Sequence, residues 1–329
     1  MCRWRLPGCA KKFFTSVPDP PPTTGLRLFL SADLAGSTAF KQSGKLDEWQ
    51  KYFREFYRQL PALLRQKLVG GRFKGIELPV WKLIGDEIVF SAPLSRWDQS
   101  HRCVAAFRAA VVEFRQRTIA ATDGRLDVKC AGWTAGFPVG NICVESPADL
   151  PPDYIGPGMD IGFRLVKAAV PRRMLLSVEL AWLLSLPRSD PTATFFVSGG
   201  MELKGVAKGR SYPSIWLDNF RDAPERSAAD ELDIHEERLR GHILKPCDTA
   251  DLHTFCQRWL ENMGPPFVVP FIDGDPVIGA RPPGYEELYV KVTTEESQGP
   301  ADDVEPMAKA PPPGDADILS SFGETMPPP

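Results

Sequence analysis

The apolar positions of this chain keep two rhythms, and the switches between them outline the fold. Short apolar runs read as buried strands: Leu26 to Ala32, the two arms around Gly85-Asp86, Asp127 to Thr134, Met174 to Ser177, Phe195 to Val197 and Ser211 to Leu217. Longer stretches repeat at helical spacing. Trp49, Tyr52, Phe53, Phe56, Leu60, Leu63 and Leu64 form one stripe with charges between them. Cys103, Phe107, Ala110, Val111 and Phe114 form a second within Trp97 to Arg117. Pro61 predicts a kink or a break in the first helix, and Gly70-Gly71 its end. Pro138 and Gly140 punctuate a turn from Gly136 to Ile142. Gly156 to Ala169 reads as a third helix after the Pro151-Pro152 break.

The resulting order is strand, helix, hairpin, helix, strand, followed by additions. That is the split βαβ, ferredoxin-like plan, an α+β fold whose sheet is mixed or antiparallel with helices mainly on one face. It spans residues 25–218. Residues 1–24, ending in a proline-rich stretch, read as a flexible leader. Residues 219–294 form a C-terminal extension, a small α+β or helical appendage. In it Asp222 to Arg240 is charged and helical in tone, Leu252 to Asn262 is a short helix, and Phe267 to Ile272 and Leu288 to Val292 look strand-like. Residues 295–329, rich in Pro, Gly, Asp and Glu, read as a disordered tail.

Composition narrows the class. Over 329 residues, 43% hydrophobic and 25% charged is the balance of a soluble globular protein. A net charge of −3 offers no general attraction to nucleic acid or an anionic membrane. No apolar run approaches a membrane span, and the start lacks the apolar core of a signal peptide. Seven scattered cysteines without a C-x-x-C pair indicate neither a disulfide framework nor a zinc site, so a reducing cytoplasm is the simplest location.

Two stretches carry candidate chemistry. In Leu28 to Thr38 an apolar strand ends in Asp33, followed by Gly36, Ser37 and Thr38. A carboxylate at a strand end beside a tight turn with open N–H groups suits a metal-bound triphosphate. An ordinary strand followed by an N-capping Asp or Ser reads the same residues equally simply. In Val80 to Phe90 a second acid, Asp86, sits at a hairpin tip. Asp33 and Asp86 are the only acids placed at adjacent strand ends of the predicted sheet, and both are assigned as metal ligands.

Five segments in order resemble the catalytic domain of class III nucleotidyl cyclases. Asp33-Leu34-Ala35-Gly36-Ser37-Thr38 is similar to the family's D-[IL]-x-G-[SF]-T opening, and Lys82-Leu83-Ile84-Gly85-Asp86 to its K-x-x-G-D hairpin. Gly132 to Gly136 resembles G-x-x-x-G, Asp153 to Arg164 resembles D-x-x-G-x-x-V-N-x-A-x-R, and Leu203-Lys204-Gly205 resembles the late L-K-G. The resemblance implies a nucleoside triphosphate substrate and two divalent ions, Mn²⁺ or Mg²⁺, held by Asp33, Asp86 and the main-chain carbonyl of Leu34. It implies phosphate contacts from Gly36, Ser37, Thr38 and Lys204, base reading by Lys82 and Asp153, and a transition-state arginine at Arg164. At Asp160 the family usually has Asn, which orients the ribose. An ionised Asp accepts but cannot donate.

Lys to a ring nitrogen and Asp to an exocyclic amine is the adenylate-type pair, yet uracil and cytosine satisfy it too. Pocket size must then choose the base. Tyr52 is the candidate to fill the space of a purine's second ring, the alternative being that all five aromatics of that helix are core. The run from Gly36 to Lys41, the aromatic helix and Trp81 to Phe90 resemble the pyrimidine cyclases of the Pycsar anti-phage system. That implies conversion of UTP, or less readily CTP, to a 3′,5′-cyclic nucleotide, with a separate effector protein reading the product. Sites between two protomers, hence a homodimer, follow from the same resemblance. The rivals are an adenylate cyclase, a degenerate nucleotide-binding module and a ferredoxin-like interaction domain with chance matches.

Overall fold

In the computed structural model, the described residues are 24–43, 46–69, 76–146, 151–186, 193–206, 210–219, 228–239 and 245–298. Strand β1 (Gly25–Ala35) lies between β3 (Glu87–Pro93) and β4 (Asp127–Phe137), antiparallel to both. With β2 (Val80–Ile84) the first four strands run β2-β3-β1-β4, the ferredoxin-like order. Strands β7 (Arg173–Leu176), β9 (Tyr212–Asp218) and β8 (Phe195–Met201) extend the sheet to seven. β7 is parallel to β4 and the other pairings are antiparallel, so the sheet is mixed.

The two faces of β1 have different neighbours because side chains alternate along a strand. Leu30 stands opposite Phe90 on β3 and Gly132 on β4. Phe90 packs on Phe107 of α3 (Asp98–Phe114), and Phe114 packs on Phe56 of α2 (Leu46–Val69). This face also receives Leu180 of α5 (Val178–Leu184), whose side chain lies over Gly132. The opposite face carries Arg27, Phe29, Ser31 and Asp33. Phe29 stacks on Trp133, and Trp133 is covered by α4 (Pro157–Ala168). Three helices on one face and one on the other agree with the sequence expectation.

Several elements differ from that expectation. The apolar strand runs on to Ala35, so Asp33 lies within β1 rather than at its end. A single residue, Gly36, then turns the chain into α1 (Ser37–Ser43). Its φ is +82°, and a Cβ there would come 2.5 Å from the Arg125 carbonyl oxygen, so only glycine fits. Helix α2 continues through Pro61 to Val69. Gly70-Gly71 lies outside the described residues. Two elements were not anticipated: a ribbon of β5 (Ile142–Val144) with β6 (Asp153–Ile155), and α5.

In the extension, α6 (Ala228–Leu239) and α7 (Thr249–Met263) fall in the segments expected to be helical. Phe267 to Ile272 belongs to no strand. Leu288 to Val292, read as strand-like, lies inside α8 (Tyr285–Gln298), which opens on Glu286 and Glu287, acids suited to a helix N-terminus. Leu252, Cys256 and Leu260 of α7 are buried in the main core. Trp182 Nε1 of α5 donates to Gln257 Oε1 at 2.6 Å. The leader before Thr24 and the tail beyond Gln298 lie outside the described residues. Among the described residues no helix is long and apolar enough to cross a membrane.

Candidate functional site

The predicted site residues fall into three groups. The first gathers at the open end of the β1 face that carries Phe29. Asp33 stands opposite Glu87 on β3 and Lys129 on β4. Lys129 Nζ lies 2.9 Å from Asp33 Oδ2. Ser31, two residues back on the same face, donates to Glu87 Oε1 at 2.6 Å. The Gly85-Asp86 turn is strapped to this end from three directions. The Leu34 N–H donates to the Asp86 carbonyl at 3.2 Å. Ser37 Oγ donates to Asp86 Oδ2, and the Tyr57 hydroxyl donates to the Gly85 carbonyl.

This corrects two expectations. The N–H of Leu34 is spent on the hairpin rather than open, and Ser37 and Thr38 begin a helix. A third acid, Glu87, stands across from Asp33 on β3. Burial pushes the Asp33 carboxyl up, Lys129 pulls it back, and the charge of Asp86 raises it again. Burial likewise raises Glu87, opposed by Ser31 and reinforced by Asp33. The Tyr57 phenol is raised by burial and then by Asp86 and Asp33. Acids that discourage one another's ionisation gain from a cation placed among them.

Carboxylate oxygens are the donors that Mg²⁺ and Mn²⁺ prefer. Among the described residues no cluster of three or more His, Cys, Asp or Glu side chains is gathered closely enough to hold a metal ion. Asp33 and Asp86 offer two carboxylates, and an ion such as Mg²⁺ commonly takes only one or two carboxylates and completes its shell with substrate phosphates and water.

The second group joins β2 to the ribbon. Lys82 Nζ meets both carboxylate oxygens of Asp153, at 2.8 and 2.7 Å. Trp81 Nε1 donates to the Pro152 carbonyl at 2.8 Å, and the Trp81 and Tyr154 rings meet at 5.2 Å. Donor and acceptor thus sit side by side and part-exposed, each satisfied by the other.

The third group is carried by α4. Asn141 clamps the start of that helix, accepting from the Gly158 N–H and donating to the Gly136 carbonyl, both at 3.0 Å. Gly162 lets the helix lie against Trp133, since a Cβ there would fall 2.2 Å from the indole. Two residues on, Arg164 Nη1 donates to the carbonyl of Asp160, one turn before it, at 2.9 Å and lies 3.5 Å from its carboxylate. Arg164 Nη2 also lies 3.8 Å from where a Cβ on Gly205 would stand, beside the exposed Lys204. Among the described residues no hydrogen bond or ion pair joins this group or the Lys82–Asp153 pair to Asp33 or Asp86.

Tyr52 joins none of the three. Its ring is buried edge-on against Phe40, and its hydroxyl reaches the Ala121 carbonyl at 3.4 Å. It is packed in the core. The residues that sequence reasoning missed are Glu87, Lys129 and Tyr57. Glu87 adjoins Asp86 in the hairpin. Lys129 interrupts an otherwise apolar strand at a position of fixed parity. Tyr57 lies four residues from Phe53 at the edge of the helical stripe.

No protein-family model matches the chain, and no curated protein matches it. Among solved structures it is similar to the adenylyl cyclase CyaB from P. aeruginosa. The identity is 15%, covering 58% of this chain and 93% of that one, with a TM-score of 0.46. It is similar also to the guanylate cyclase domain of RhGC from Catenaria anguillulae in complex with GTP, at 13% identity, 59% and 96% coverage and a TM-score of 0.45. A third is the dimeric guanylyl cyclase domain of the RhoGC fusion protein from Blastocladiella emersonii, at 10% identity, 59% and 96% coverage and a TM-score of 0.44.

Proposed function

We propose that this chain is a nucleotidyl cyclase that turns a nucleoside triphosphate into its 3′,5′-cyclic monophosphate and pyrophosphate. The observation that carries the reading is the meeting of Asp33, Asp86 and the Gly36-Ser37 turn at one open sheet end. Asp33 and Asp86, with the Leu34 carbonyl, would hold divalent ions. Bound there, such ions acidify the ribose 3′-hydroxyl and neutralise the leaving pyrophosphate. Arg164 supplies a planar, fixed cation for charge developing on the phosphate, and Lys204 a mobile one for the terminal phosphates. Asp160, exposed beside Arg164, would accept from a ribose hydroxyl. Ser37 orients Asp86, and Gly36 and Thr38 border the phosphate side of the turn.

The likeness of the motifs to class III cyclases favours sites completed between two copies. Leu83 and Ile84 on the hairpin and Ile142 and Ile155 on the ribbon are exposed apolar side chains that a second copy would cover.

For the base, Lys82 and Asp153 offer one donor and one acceptor. The likeness of the chain's own motifs to pyrimidine cyclases favours UTP, then CTP, and with it a second messenger for anti-phage defence read by a separate effector. ATP is the second reading. It is favoured by the burial of Tyr52, which leaves that ring out of any base pocket. Purified protein incubated with Mn²⁺ and each of ATP, GTP, CTP and UTP tests both. A cyclic pyrimidine product supports the first and cyclic AMP the second. Mn²⁺-dependent nucleotide binding without turnover would make the chain a binding module.

A further inference from the structure

The geometry points to Lys129 as a built-in cation that occupies Asp33 when no divalent ion is bound, so that a metal enters by exchange against its ammonium group. This rests on the metal reading of Asp33 and adds to it a residue that none of the chain's motifs contains. Lys129 lies directly across from Asp33 in the β1–β4 register, and its Nζ is 2.9 Å from Oδ2. Both side chains are about four-fifths buried, with 21% and 17% of their surface exposed. The only ion-pair partner of Lys129 among the described residues is Asp33. The neighbouring acid on β4, Asp127, is engaged instead by Arg115 through both oxygens, at 2.8 and 2.7 Å.

A metal ligated by the same Asp33 oxygen and an ammonium hydrogen-bonded to it would be two cations on one acceptor, at a distance where their repulsion is strong. The flexible four-carbon stem of a lysine lets the head swing away while its backbone stays in the sheet. The exchange has two consequences. Lys129 keeps the acids compatible with a folded protein in the absence of metal. It also weakens the first metal-binding step, so that an ion arriving with a triphosphate, and bringing extra ligands, is favoured over a free ion.

The test is Mn²⁺ binding to the full chain without nucleotide, followed by the paramagnetic signal of free Mn²⁺, together with thermal midpoints with and without Mn²⁺. K129M and K129Q are expected to bind Mn²⁺ about five- to tenfold more tightly than wild type. Both should melt lower without metal and gain more on adding it. K129R, which keeps the charge, is expected to stay within about twofold of wild type. D33N separates the two levels of the argument. If D33N binds Mn²⁺ as wild type does, Asp33 is no ligand and the metal reading falls, taking the proposal with it. If D33N weakens binding while K129M and K129Q leave it unchanged or weaker, the proposal alone is overturned. The same holds if K129R behaves like the neutral variants.

Discussion

Under the proposed function, single side chains carry distinct roles whose effects can be separated. Asp33→Ala and Asp86→Ala each remove one carboxylate from the sheet end without touching α4. Each is expected to lower metal-dependent turnover by about a hundredfold or more, measured as cyclic product per minute at saturating triphosphate. A different residue governs the pH dependence of stability. Glu179, at the start of α5, has a buried Oε2 with no hydrogen-bond partner, and burial raises its carboxyl to about 7. In an unfolded chain the same group titrates at about 4.3. Between those values the native protein holds a proton that the unfolded chain has lost. Its stability therefore falls as pH rises across that window. Glu179→Gln should flatten the profile, gaining on the order of a few kcal/mol relative to wild type between pH 5 and pH 8. Parallel thermal melts at the two pH values check it, and equal shifts at both would count against the burial argument. The residues most legible from sequence were those with a local signature, such as the Gly-Asp pair of the hairpin tip. Lys129 carries none. Its meaning comes from the residue across from it, a relation between two strands nearly a hundred residues apart.

At the scale of elements, α4 carries Arg164 and Asp160, two residues of the proposed site. Its seat depends on one missing side chain. Gly162→Ala would drive a methyl group into the Trp133 ring. Overpacking of this kind costs about 1–3 kcal/mol or more. The helix must lift, so activity should fall along with the thermal midpoint. Gly158→Ala makes a graded comparison, because a Cβ there meets Ala135 Cβ and Asn141 at 3.1 Å rather than a ring at 2.2 Å. Loss of activity in G158A equal to that in G162A would show that added bulk anywhere along this face of α4, not the Trp133 contact, is what matters.

The elements that sequence reasoning found were those with a polar face to set against an apolar one. Helix α5, Val-Glu-Leu-Ala-Trp-Leu-Leu, has no such contrast. It is sandwiched between the sheet and α7, and six of its seven residues are buried. The ribbon strands are three residues each, too short for alternation to register. Pro61 does not break the helix: α2 continues through it to Val69, with buried Leu60, Leu63 and Leu64 on either side.

For the molecule as a whole, the proposal that sites are completed between two copies has a sharp consequence. If sites are shared, inactive Asp33→Ala and Arg164→Ala proteins should rescue each other when mixed. A heterodimer would hold one site with both lesions and one with neither. Equal mixing should then restore about a quarter of wild-type activity. No recovery after unfolding and refolding the two together would place all the machinery in one copy. The extension takes part in the same body. Asp275 accepts from the Trp97 N–H at 3.0 Å, and the Cys247 N–H donates to the Phe195 carbonyl at 2.9 Å. Expression without residues 245–298 should therefore expose Trp182 and Tyr212 and lower solubility, read by light scattering.

β1 holds two interleaved texts, one in its even positions and one in its odd. Leu28, Leu30, Ala32 and Leu34 speak to the face that packs on α3 and α5, while Arg27, Phe29, Ser31 and Asp33 speak to the face that carries α4. Each text can be edited letter by letter without disturbing the other. Neither survives a frameshift in space: deleting a single residue between Phe29 and Asp33 would turn Asp33 into the oily layer and present a leucine or alanine to the site. The history open to this strand is one of substitution, with insertions and deletions confined to the segments that flank it.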